Sequence, residues 1–98
     1  GSDSDIIRGK HANRNSEFVL VNVAGKSKVM ITDGYDKKIV ELSKPMEAVY
    51  IPKMIWKEMY DFSEDSVLLV LSNTHYDGKE YIRDFEEYRK IMNENKNE

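Results

Sequence analysis

Acid–base chemistry in this 98-residue chain has few carriers, because there are two histidines and no cysteine. The missing cysteine removes thiolate nucleophiles, disulfides and cysteine-bound zinc together. His75 sits in a polar connection, Asn73-Thr74-His75-Tyr76-Asp77-Gly78, and reads as structural or solvated. His11 has better company: Arg8-Gly9-Lys10-His11-Ala12-Asn13, then Glu17 and Gly25. Imidazole titrates near neutral pH, so it takes and returns a proton at modest cost. Residues i and i+2 on a strand share a face, so His11 and Asn13 should project together. An asparagine amide cannot titrate, but it can hold a hydroxyl or polarise a carbonyl. Arg8 can bind phosphate oxygens bidentately, or it is a solvated arginine at a strand start. Trp56, the sole tryptophan, could stack on a flat ring or a sugar face, or belong to a core or an interface. Strand parity points Lys57 inward, where it could meet phosphate or a keto oxygen, but the favoured reading is that it snorkels outward to solvent. Glu17 fits a supporting hydrogen bond to His11 or Arg8.

Short strands must hold these residues. Runs of β-formers span Phe18 to Val23, Lys28 to Thr32, Lys38 to Leu42, Ala48 to Ile51, Ile55 to Tyr60 and Val67 to Leu71. Asp33-Gly34 is a hairpin signal, Pro52 interrupts or ends a strand, and Ser63-Glu64-Asp65-Ser66 is a polar turn. Strands at this regular spacing predict an all-β sandwich or barrel. Glu17, Val19 and Val21 carry on inward if the loop after Asn13 keeps the phase. Near the end, Asp77 with Glu80 predicts an N-cap and a capping-box variant. Tyr81, Phe85, Tyr88 and Met92 then recur at helical spacing, with Ile82 and Ile91 beside them. They predict one amphipathic helix whose aromatic stripe lies on the sheet, with Glu86 and Lys90 paired on the wet side. Asn93 to Glu98 is a polar tail.

Composition bounds the rest. The length suits one domain over residues 1–98, with Gly1-Ser2 read as a cloning remnant. Hydrophobic content of 40% and charged content of 34% fit a well-solvated globular surface. A net charge of −3 with interspersed signs leaves no footprint for nucleic acid. No apolar run approaches the roughly 18 residues of a membrane span. A cytoplasmic location is expected, which the lack of cysteine fits.

Several segments resemble known proteins. Histidine, a second candidate ligand two residues on, then a glutamate and a later glycine follow the frame of the first cupin motif, G-x5-H-x-H-x3,4-E-x6-G. A metal-binding cupin needs two histidines and a carboxylate there, plus a third histidine that would fall at Lys57. Asn13 and Lys57 stand in two of those places, and an ammonium group repels a dication, so no metal is expected. Arg8-Gly9-Lys10-His11-Ala12, Glu17-Phe18-Val19-Leu20, the stretch Tyr50 to Met59 and Tyr81-Ile82-Arg83-Asp84-Phe85 resemble the WxcM-like family. Its characterised members are dTDP-4-oxo-6-deoxyglucose 3,4-ketoisomerases. The likeness runs from Arg8 to about Ile91 and implies a small cupin-type, jelly-roll-like β-barrel closed by one C-terminal amphipathic helix. It also implies metal-free chemistry without a cofactor, in which a histidine moves a proton beside a sugar ketone through an enediol. On that reading His11 is the catalytic acid/base. Arg8, Asn13, Trp56 and Lys57 contact a nucleotide-sugar substrate, and Glu17 supports them. The family's R-G-x-H-A-H ends here in Asn13, and its roughly forty preceding residues, which build strands of the site and of dimer exchange, are not part of this sequence. A homodimer is implied.

Three functions follow for test. The leading one is a sugar-nucleotide ketoisomerase or an epimerase of the same proton-transfer type. The second is a non-catalytic cupin module that binds a nucleotide sugar or a partner domain. A metal-dependent cupin enzyme is the third and least favoured.

Overall fold

The computed structural model describes residues 6–74 and 77–96. Its strands are β1 Arg8–Asn13, β2 Phe18–Ala24, β3 Ser27–Thr32, β4 Lys37–Leu42, β5 Ala48–Ile51, β6 Trp56–Tyr60, β7 Val67–Ser72 and β8 Tyr81–Ile82, followed by helix α1, Phe85–Lys96. The six strands expected from β-forming runs are all present. Their ends fall where turn chemistry puts them. Asp33 Oδ1 accepts from the amides of Tyr35 and Asp36, both at 2.9 Å, and Gly34 takes φ +97°, closing the β3–β4 hairpin. β5 stops at Ile51, before Pro52, which has no amide hydrogen to continue a ladder.

Two antiparallel sheets form, ordered β4-β3-β6-β1-β8 and β5-β2-β7. Alternation along the strands sorts side chains into two cores. Between the sheets lie Phe18, Leu20, Val29, Leu42, Ile51 and Met59. On the outer face of the five-stranded sheet, Ala12, Met30, Trp56 and Ile82 meet Tyr88, with Phe85, Ile91 and Met92 packed around them. The protein is thus small sheet, large sheet, helix, in that order. Tyr88 fastens the outer layer, because its hydroxyl lies 2.7 Å from the Met54 carbonyl oxygen and 3.0 Å from that of Thr32. Burial pushes this phenol up to about 12, so it stays a neutral donor.

Four expectations need correction. Asp77 caps a 3-10 turn, Gly78–Glu80, and the helix starts later, at Phe85, where Asp84 Oδ1 accepts from the amides of Glu86 and Glu87. Tyr81 and Ile82, assigned by periodicity to the helix, pair instead with Asn13 and Ala12 as β8. The helix covers the outer face of the larger sheet and does not close a barrel mouth. Its stripe of Phe85, Tyr88 and Met92 survives because an apolar face packs equally well on any flat apolar surface. The phase of β2 also differs: Phe18 and Leu20 are buried between the sheets while Val19 and Val21 are half-buried. The loop between β1 and β2 has shifted the alternation by one residue. Among the described residues, no helix is long and apolar enough to cross a membrane.

Candidate functional site

The site is built where β1 lies against β6, and a bulge sets its geometry. Arg8 pairs with Met59, Gly9 with Glu58 and His11 with Lys57, so Lys10 is an extra residue in the register. Gly9 and Lys10 take φ +85° and +49°. A Cβ on Gly9 would lie 3.1 Å from the Lys57 carbonyl oxygen and 3.0 Å from Met59 Cε, a tight approach that together with the positive φ favours glycine. Residues directly opposite each other share a face. Arg8 and His11, three apart, would point oppositely in a regular strand; the bulge puts both on the inner face with Met59 and Lys57. Simple alternation foresees His11 beside Asn13, which holds, but it misses Arg8.

A chain of hydrogen bonds links His11, Lys57, Asn13 and Glu80. His11 Nδ1 is 2.6 Å from the Gly9 carbonyl oxygen, so in the neutral ring Nδ1 carries the hydrogen and Nε2 is bare. Lys57 Nζ lies 3.1 Å from that Nε2 and donates to Asn13 Oδ1 at 3.3 Å. Asn13 Nδ2 donates to Glu80 Oε1 at 2.8 Å. Glu80 also accepts from the amides of Asn15 and Ser16, at 3.0 and 2.9 Å, and from the Ser16 hydroxyl. Lys57 is only 2% exposed, with its Nζ 4.0 Å from the Phe18 ring centroid. The Tyr81 ring covers His11, centroid to centroid 4.7 Å, and the Arg83 guanidinium lies over Tyr81.

Burial governs the electrostatics. It holds His11 down at about 4, helped by the Lys57 and Arg83 charges and opposed by the Gly9 carbonyl and Glu80. Burial likewise lowers Lys57 to about 8, with the Glu80 charge opposing. For Glu80, burial pushes the carboxyl up, but the hydrogen bonds from Ser16, Asn13 and Asn15 outweigh it and the carboxyl ends below its usual range. At neutral pH the arrangement is therefore a bare imidazole nitrogen facing an ammonium group, which a carboxylate backs through Asn13. The first can accept a proton; the second can polarise an oxygen.

The structure brings together His11, Asn13 and Lys57, and separates the other candidates. The Arg8 guanidinium, exposed, lies 5.7 Å from the Phe62 ring centroid, beside a groove of about 290 Å³ that Ser63, Glu64 and Leu68 help to line. Glu17 does not reach His11 or Arg8 by any hydrogen bond found among the described residues; its carboxylate accepts from the Tyr50 hydroxyl at 3.1 Å. Lys57 does not snorkel. Trp56 faces away from the site: it is 2% exposed, its ring meets Phe85 and Tyr88, and its Nε1 donates to Glu58 at 2.9 Å. Adjacent strand residues point to opposite faces, so Lys57 inward requires Trp56 outward, where packing leaves its ring no face for a thymine or a sugar. His75 lies outside the described residues. Sequence reasoning missed Glu80, assigning it to a helix cap. No local signal marks its role, since its partners are 64 to 67 residues away. Among the described residues no three of His, Cys, Asp and Glu cluster as a metal site.

The chain is similar to several known proteins. A family model described as FdtA: WxcM-like, C-terminal matches residues 1–93. A curated TDP-4-oxo-6-deoxy-alpha-D-glucose-3,4-oxoisomerase from Aneurinibacillus thermoaerophilus is 37% identical over 85 residues, covering 87% of this chain and 61% of the relative, so the chain spans about three fifths of its length. A Campylobacter jejuni TDP-fucose-3,4-ketoisomerase superposes with a TM-score of 0.87 at 47% identity, over 91% of this chain and 66% of the other. The sugar 3,4-ketoisomerase QdtA from Thermoanaerobacterium thermosaccharolyticum, solved with TDP, gives a TM-score of 0.90 at 36% identity, over 97% and 69%. A histidine-to-asparagine mutant of that enzyme, solved with TDP-4-keto-6-deoxyglucose, matches equally well, with a TM-score of 0.90 at 35% identity over 96% and 68%.

Proposed function

Because the chain belongs to the FdtA-type, WxcM-like C-terminal family, we propose that it is a sugar-nucleotide 3,4-ketoisomerase domain acting on a dTDP-4-keto-6-deoxyhexose. The observation that carries this is the His11 ring, anchored through Nδ1 on Gly9 so that its bare Nε2 faces inward beside Lys57. His11 takes the proton from the carbon beside the ketone, an enediol forms, and the proton returns at the former carbonyl carbon. No metal or cofactor enters this scheme. Arg8, on the same face and exposed, holds the diphosphate, while Lys57 meets the keto oxygen. Asn13 serves less by touching substrate than by holding Lys57 in place, since both ends of its amide are already bonded. Glu80 takes the supporting role first given to Glu17. The neighbour's asparagine mutant, solved with a keto sugar nucleotide, supports the view that asparagine in such an enzyme is compatible with binding.

The test is incubation with a dTDP-4-keto-6-deoxyhexose in heavy water, followed by NMR. Deuterium should enter beside the ketone and an isomer accumulate; His11→Ala should abolish both. No exchange above the blank sinks the catalytic reading. The fixed, non-titrating Asn13 favours a second reading, a module that binds the nucleotide sugar without turnover, which saturable dTDP binding without exchange would support. A homodimer in the cytoplasm completes the proposal. The exposed apolar edge strand β7, with Val67, Leu69 and Leu71 each about half exposed, supports self-association.

A further inference from the structure

Moving a carbonyl between neighbouring carbons requires two proton relocations, one between carbons and one between oxygens. As the carbon-bound proton leaves, the ketone oxygen must gain a proton. As the new carbonyl forms, the neighbouring hydroxyl must lose one. A single imidazole serving the carbons leaves the oxygens without a carrier, and Asn13 cannot titrate. Resting on the function proposed above, we infer that Lys57 is the second proton carrier of this site, relaying a proton between the two vicinal oxygens while His11 serves the two carbons. The balance closes. The Lys57 ammonium gives its proton to the ketone oxygen as His11 Nε2 takes the carbon-bound one, forming the enediol. The neutral amine then takes the proton of the adjacent hydroxyl as that oxygen becomes the ketone. His11 finally protonates the other carbon, and both groups end as they began.

The geometry supports this division. Lys57 Nζ is 3.1 Å from His11 Nε2, about the distance that separates vicinal substituents, so one edge of a sugar ring can meet both groups. The side chain has little freedom, being buried and pinned to Asn13 Oδ1. Its surroundings allow either charge state. Glu80, reached through Asn13, and the Phe18 ring face favour the ammonium; burial favours the amine. A lysine at about 8 gives and takes a proton near neutral pH at far lower cost than an ordinary one. An arginine there would donate hydrogen bonds but not transfer protons.

The deciding measurement compares wild type with Lys57→Arg and Lys57→Gln, recording deuterium exchange beside the ketone and isomer formation separately across pH. Both variants should bind dTDP within about threefold of wild type. Lys57→Arg should still exchange above the His11→Ala level, yet form isomer at least tenfold more slowly relative to exchange. The basic limb of the wild-type isomerisation profile, near pH 8, should vanish in it. An unchanged ratio of isomer to exchange with the same basic limb overturns the inference. A second readout needs no turnover. In ¹⁵N NMR the His11 Nε2 resonance should step near pH 8 as Lys57 deprotonates, and Lys57→Met should remove that step. If wild type neither exchanges nor isomerises, the function reading fails. The Nε2 step then still establishes the coupled pair, and its absence overturns that pair as well.

Discussion

Replacing Glu80 tests the site's foundation most directly. This carboxylate is 6% exposed and accepts from Asn13 Nδ2, the amides of Asn15 and Ser16, and the Ser16 hydroxyl. In Glu80→Ala the Asn13 amide and the Ser16 backbone N–H are left buried without an acceptor, each costing about 1–3 kcal/mol, while the Ser16 hydroxyl keeps the Thr74 hydroxyl and the counter-charge behind Lys57 is lost. We expect a total loss of roughly 3–5 kcal/mol. At about 4–8 °C per kcal/mol for a domain this small, the Tm should fall by at least ~12 °C. Glu80→Gln separates charge from shape. One amide oxygen can still take the two backbone donors, but the amide nitrogen then opposes Asn13 Nδ2. Asn13 must flip, turning its own nitrogen towards Lys57. That variant should lose about 1–3 kcal/mol and lower the Lys57 titration further, because the carboxylate charge that raised it is gone. Differential scanning fluorimetry reads the first effect and the His11 Nε2 resonance the second. If Glu80→Ala melts within the range of an ordinary surface substitution, about 0.5 kcal/mol, the network does not hold the site and the reasoning fails.

Gly9→Ala should destabilise by about 1–3 kcal/mol, through its positive φ and the close Lys57 carbonyl, and should abolish exchange by moving His11; thermal melting and the heavy-water assay check it, and an alanine that folds and reacts normally refutes the bulge argument. Trp56→Phe should cost about 1–3 kcal/mol by urea denaturation and leave dTDP affinity unchanged by calorimetry. Loss of binding in a folded variant would restore Trp56 to the site. Acid should weaken the fold through His11. The folded ring titrates at about 4, below its ordinary 6.5, so between those values the unfolded chain binds a proton that the folded one refuses. Stability present above pH 6.5 is therefore lost as pH falls towards 4. Urea midpoints at pH 7 and 4.5 should differ less in His11→Gln than in wild type; equal differences would mean that His11 is not held neutral by burial.

Most of the fold was legible because its determinants are local. Runs of β-formers, Asp33-Gly34 and Pro52 act within a few residues, and the strands end where those residues end them. The pairing of His11 with Asn13 on one face also follows from strand geometry alone, and the family resemblance rests on the same short segments. Other features depend on contacts that no local pattern encodes. Helical spacing absorbed Tyr81 and Ile82 into the helix, because periodicity does not register that β1 offers a free edge for a short strand. Parity could not foresee Lys10 as an unpaired residue, since a bulge is a relation between two strands. Strand parity could not say whether Lys57 stays buried or what covers Trp56 on the opposite face; packing of the two sheets and the helix decided both. From the sequence came the histidine, the missing second imidazole and the lysine in line with them. The fold alone brought Glu80 from the far end of the chain to lock Asn13, and set a buried ammonium against a bare imidazole nitrogen. Chemistry at this site depends on charge in a low-dielectric interior, and burial is a property of the whole assembly of strands.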